Sequence, residues 1–159
     1  MDKELEISLR KYNKNIELGG QAMIIFGVWS IIKVILPLLV GQQTIAELLA
    51  IDTVEVEDYL TLIIFFAFMG LILLFHFRMG SSAIKYAKGT KNKKGFLVRA
   101  YIILIMNIVF FPFYFIGFKE GNISNTIIAS MLVDITVIVS LFDLIISTYK
   151  VGKIRKQFG

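Results

Sequence analysis

Five polar or ionisable residues, Lys33, His76, Asn107, Asp134 and Asp143, lie inside or at the edge of long apolar runs. In lipid such groups are costly and need a partner or a water-lined cavity, so chemistry is sought there first. Two carboxylates sharing a site would suit an aspartyl mechanism. Asp134 and Asp143, however, are nine residues apart; at ~100° and 1.5 Å per residue they point in nearly opposite directions and differ in depth by ~13 Å. Thr126, Ser130 and Asp134 form one stripe of that helix, and Thr136, Ser140, Asp143 and Ser147 form another. Nucleophilic catalysis has no better footing, because no serine sits in a nucleophile-elbow pattern. No catalytic residue is assigned. The one histidine, His76, can either join Asp143 in an inner-face polar pair or face head groups. The absence of cysteine removes disulfides, thiolates and Cys-ligated metals, and a single histidine makes zinc an unsuitable expectation. No cofactor and no metal are expected.

The elements that must carry these residues follow from composition. The chain has 159 residues, 57% of them hydrophobic and 18% charged, with the charges clustered. That is more apolar side chain than a soluble domain of this size can bury, so the fold class is an all-α integral membrane protein. A hydrocarbon core of ~30 Å takes roughly 20 helical residues. Four stretches qualify, at 20–40, 59–77, 97–118 and 126–149, and they predict a four-helix transmembrane bundle forming one domain. Residues 1–19 contain no cleavable signal peptide. They read instead as a short amphipathic helix on the inner leaflet, with Leu5, Leu9, Tyr12 and Ile16 on one face.

Basic residues set the orientation. The N-terminal segment has four, the loop at 78–96 has six and the tail has four, whereas the outer connections have only Lys119. By the positive-inside rule both termini are cytoplasmic, in a multi-pass protein of the cell membrane. The acidic outer loop at 41–58 has capping-box-like spacings at Thr44/Glu47 and Asp52/Glu55, which fit either a short helix or a solvated loop. Arg78, Lys85, Lys88, Lys91, Lys93 and Lys94 are placed against anionic lipid head groups. With Tyr86 as the aromatic in its interior and no recognisable module, the loop does not suit nucleic acid.

Depth then relates residues on different spans. Lys33 is three residues to the outer side of the centre of the first span, and Asp134 is equally far to the outer side of the centre of the fourth. First and fourth helices are commonly neighbours in a closed bundle, so these two are expected to form a buried ion pair. Asn107, at the middle of the third span, either bonds a neighbouring helix or lines a polar pathway. Pro112 frees the carbonyl of Ile108 and predicts a kink. The surrounding run Phe110, Phe111, Phe113, Tyr114, Phe115 and Phe118 reads as packing or lipid-facing anchors, and Gly27, Ser30 and Gly70 as points of close helix approach.

Two functions from different classes fit. One is a non-enzymatic membrane-embedded subunit or partner-binding protein, docking on another membrane protein or on itself. The alternative is a homo-oligomeric transporter or channel for an ion or small solute, using Lys33, Asp134, Asn107 and Asp143 as its polar path. A lipid-modifying enzyme is a third, without a catalytic constellation to support it. The cysteine pairs of thiol-oxidising membrane proteins are missing, the aspartates do not follow the lipoprotein signal peptidase pattern, and Lys33 stands in the span where small multidrug exporters carry a glutamate.

Overall fold

Backbone in lipid must bond to itself, which makes long apolar runs helical. The computed structural model describes residues 3–39, 56–90, 93–115 and 125–157, and they form helices α1 (Lys3–Leu39), α2 (Val56–Ala87), α3 (Phe96–Phe110) and α4 (Asn125–Gln157). All four, with the third counted through Phe115, are long and apolar enough to cross a membrane. No strand occurs among the described residues. α1 packs on α2 and α4, and α3 completes the ring by packing on the same two. The outer-loop helix expected near 41–58 and the placement of Lys91 lie outside the described residues.

The separate interfacial helix expected over residues 1–19 is not what forms. α1 continues without interruption for 37 residues, about 55 Å at 1.5 Å per residue, well beyond a ~30 Å hydrocarbon core. Its apolar face packs within the bundle: Ile16 is fully buried, and Leu9 and Tyr12 pack on the same core. The partner faces come from helix extensions at the same end, since α2 runs to Ala87 and α4 to Gln157, past the boundaries expected at 77 and 149. Hydrophobic packing between these extensions outcompetes a lipid-facing position for the Leu9, Tyr12 and Ile16 face.

The tightest contact is between α1 and α2 and depends on glycine. A Cβ on Gly20 would stand 2.8 Å from the carbonyl oxygen of Gly80, and one on Gly80 would overlap the carbonyl oxygen of Gly20. One turn pair further on, a Cβ on Gly27 would come within 2.6 Å of the His76 Cβ. Backbones approach this closely only where no side chain intervenes. Gly70, expected at such a contact, has nothing within 4 Å of its Cβ position and is exposed.

The end carrying the basic residues is also cross-tied by polar groups. Arg155 donates to the Asn13 side chain at 3.4 Å and to the Tyr86 carbonyl at 3.3 Å, and its guanidinium lies 4.6 Å from the Tyr86 ring centroid. Tyr86 in turn packs on Phe96, so all four helices are tied together at this end. Lys88 pairs with Glu17 at 3.5 Å, and the Lys94 ammonium occupies the space a Cβ on Gly152 would need.

Among the described residues, the bundle is packed at one end and open at the other. Beyond Gly27 on α1, before His76 on α2, after Leu104 on α3 and before Val137 on α4, Ser130 is the one buried residue among the described side chains. The third span contributes to this opening. α3 ends at Phe110, and Phe111 and Pro112 form a turn before a last helical turn at 113–115. Pro112 has no N–H to give the Ile108 carbonyl; the Phe111 N–H still reaches Asn107 O at 2.9 Å, and the chain tightens to bonds three residues long, from Tyr114 N–H to Phe111 O and Phe115 N–H to Pro112 O. The expected kink is therefore a break in the helix.

Candidate functional site

The Pro112 turn delivers Tyr114 to the centre of the open half. There the Lys33 ammonium lies 2.6 Å from Asp134 Oδ2, and the Tyr114 hydroxyl donates to the same oxygen at 2.5 Å. The Lys33 nitrogen is also 5.1 Å above the Tyr114 ring centroid, within cation–π range. α1, α4 and the segment after α3 thus meet at one charge cluster. The side chains of Lys33 and Asp134 are 34% and 16% exposed, so the carboxylate is the more enclosed partner and the ammonium the one with room to move. Charge-assisted bonds of this length are the strong class, and two donors on one carboxylate oxygen hold it more firmly than the ion pair alone.

Two cavities meet at this cluster. The larger, about 540 Å³, is bounded by α1, α2 and α3 and backed by Asp134; its polar lining is Ser30, Lys33, His76, Asn107 and Asp134, and the rest is aliphatic or aromatic. The smaller, about 430 Å³, is lined by Lys33, Phe110, Phe113, Tyr114, Ile127 and Asp134. The larger reaches towards the basic end as far as His76 and Ile103, and the smaller towards the opposite end at the start of α4. Lys33, Phe110 and Asp134 line both.

Of the other residues singled out by sequence, Asn107 does not bond a neighbouring helix. Its Nδ2 donates to the Ile103 carbonyl in its own helix at 2.8 Å, and its Oδ1 has no partner among the described residues. The expected inner pair of His76 and Asp143 is not made. His76 Nδ1 lies 2.9 Å from the Ile72 carbonyl oxygen, with the ring set against Gly27 of α1. Asp143 instead accepts from Asn15 at 3.3 Å and Ser147 at 3.4 Å, and it is exposed. The reason is the level at which α1 and α4 cross: Asp143 stands beside the polar segment of α1, where Gly19 meets Leu144, not beside α2. Asp143 is therefore no part of the polar cluster around Lys33. The hydroxyls of Ser30, Thr136 and Thr148 bond the carbonyls four residues earlier in their own helices, which satisfies them locally.

The basic residues at 78–96 divide in the same way. Arg78, Lys85 and Lys93 are exposed, Lys88 is ion-paired with Glu17, and Lys94 is packed over Gly152. Reading the sequence missed Tyr114, because it stands in an aromatic run whose rings look alike as lipid anchors. Its hydroxyl, two residues beyond Pro112, was the available signal. Arg155 was missed because a tail arginine reads first as an orientation charge.

No family model matches the sequence, and no curated protein or solved structure matches it.

Proposed function

We propose that this chain is a multi-pass protein of the cell membrane, with both termini and the basic end on the cytoplasmic side, that passes a small solute across the bilayer without chemical change. The observation that carries the reading is the pair of cavities that share Lys33, Phe110 and Asp134 in their walls, at the contact of Tyr114 with Asp134. A solute site near the centre of a bundle, closed by a contact that can rearrange, is what passage by alternating exposure requires. A polar cluster in lipid is costly, and a cavity beside it gives that cost a use. The orientation is supported by the concentration of Lys and Arg at one end. There the exposed Arg78, Lys85 and Lys93 suit anionic lipid head groups.

The reading as a membrane-embedded subunit keeps the support of small size and short connections and gains none from the geometry. Reconstitution into liposomes separates the two. Flux of a small amphiphilic amine, alcohol or acid above that of protein-free vesicles, lost in Asp134→Asn, is the expected result. No flux of any of the three, together with stoichiometric co-purification of a different membrane protein, would replace transport by the subunit reading.

A further inference from the structure

The larger cavity presents hydrogen-bond acceptors, and the identity of each follows from its neighbour. The Ile103 carbonyl can only accept, so the Asn107 atom facing it is the amide nitrogen and the free atom is Oδ1. The Ile72 carbonyl likewise requires a proton on His76 Nδ1, which leaves Nε2 of the neutral ring as an acceptor. Asp134 receives both of its donors on Oδ2, and its Oδ1 has no partner among the described residues. Ser30 spends its hydroxyl proton on the Phe26 carbonyl. Two lining groups have N–H bonds to spare, the second N–H of Asn107 Nδ2 and the Lys33 ammonium; only Lys33 is charged, and it is held between a carboxylate and the face of an aromatic ring. That combination is a site for an ammonium ion, and Lys33 is its tethered occupant.

We propose that the cavity takes an organic monocation, a primary or secondary ammonium carried on an apolar body, which docks by displacing the Lys33 ammonium from Asp134. This deepens the transport reading, on which it rests for its setting, by naming the class of solute. The volume of about 540 Å³ is within the ~300–1,000 Å³ of small-molecule sites, and the aliphatic and aromatic walls suit the body. Asp134 Oδ1, Asn107 Oδ1 and His76 Nε2 accept from the incoming N–H groups. Lys33 can give way because its long side chain is already one-third exposed and can carry its charge along an apolar wall to a more polar level. A carboxylate solute would bring a second negative charge beside Asp134, and a neutral one would gain little from the carboxylate.

The test uses the full chain in lipid nanodiscs and four probes of similar size: 2-phenylethylammonium, its N,N,N-trimethyl analogue, 2-phenylethanol and 3-phenylpropionate. The expected result is that 2-phenylethylammonium binds wild type most tightly of the four. Lys33→Met, which removes the competing cation, should lower its Kd at least tenfold, and Asp134→Asn should abolish its binding. Asn107→Leu leaves the ion pair in place and should weaken the primary ammonium several-fold without changing the trimethyl analogue, which has no N–H to donate. This arm and the Lys33→Met arm decide the matter if Asp134→Asn does not fold. Tighter binding of phenylpropionate, lost in Lys33→Met, would overturn the ammonium assignment while leaving a solute cavity in place, as would equal binding of the alcohol and the ammonium. Binding of none of the probes to wild type or to Lys33→Met would overturn both the assignment and the transport reading.

Discussion

Replacing Lys33 by methionine strands the Asp134 carboxylate in the apolar part of the bundle, and the structure allows the cost to be worked out. Removing one member of a buried pair costs ~3–5 kcal/mol. Here Asp134 keeps the Tyr114 donor and Lys33 is one-third exposed, which places the single substitution near or below the lower end, at about 2–3 kcal/mol. Asp134→Leu strands the ammonium instead. Lys33 retains the Tyr114 ring and can move towards a polar level, so the expected cost is about 2 kcal/mol. The double variant strands no charge and leaves only the Tyr114 hydroxyl without its acceptor, about 1 kcal/mol. The singles together exceed the double by about 3–4 kcal/mol, a coupling well outside the few tenths seen between independent sites. Unfolding in mixed micelles, driven by an increasing fraction of sodium dodecyl sulfate, measures it. The one tryptophan, Trp29, is four residues from Lys33 and reports the transition by fluorescence. Additive single effects, or a double variant no more stable than the worse single, would refute the reasoning.

Further outcomes follow from other contacts. Tyr114→Phe removes the second donor to Asp134 and should cost about 1.5–3 kcal/mol in the same assay, as for a hydrogen bond to a charged acceptor; an effect below 0.5 kcal/mol would show that the hydroxyl contributes nothing to the cluster. Gly80→Ala places a methyl group on the Gly20 carbonyl oxygen, a backbone atom that cannot rotate away, and should cost over 2 kcal/mol. Gly70→Ala, with open space around it, should be neutral or stabilise by about 0.5–1 kcal/mol through helix propensity; equal effects at the two glycines would contradict the placement of the α1–α2 contact. Arg155→Ala, which loses contacts to both Asn13 and Tyr86, should cost about 1–2 kcal/mol and raise amide exchange in residues 3–19, a change that Lys156→Ala should not produce.

The parts of this arrangement that were legible in the sequence are those that depend on counting along one helix. Span number follows from run length, and the common depth of Lys33 and Asp134 follows from a fixed rise per residue, so two residues 101 apart in sequence could be placed at one level. The divergence of Asp134 and Asp143 followed from the same periodicity. What counting could not give was the relative height and rotation of neighbouring helices. His76 and Asp143 were matched by assuming aligned spans, whereas α4 crosses α1 so that Asp143 meets Asn15. Of the two readings of Asn107, a bond across helices and a place lining a polar path, the first gives way because the carbonyl one turn back is within reach of its amide. The amphipathic face of residues 5–16 was recognised and its partner was not, because lipid and a neighbouring helix ask for the same apolar stripe. Tyr114 entered the cluster through the turn at Pro112, whose direction no residue pattern specifies.

The most direct test of the account is the side from which each cavity is reached. The chain contains no cysteine, so single cysteines can be placed at Ile103 in the larger cavity and at Ile127 in the smaller, and probed in sealed vesicles of known orientation with a membrane-impermeant thiol reagent. The account predicts that Ile103→Cys reacts only from the face carrying the termini and Ile127→Cys only from the opposite face, with the shared Lys33, Phe110 and Asp134 wall as the divide between them. In the Asp134→Leu background, where that divide is broken, each should become reactive from both sides. Reaction of both positions from the same face, or of neither from any face, would contradict it.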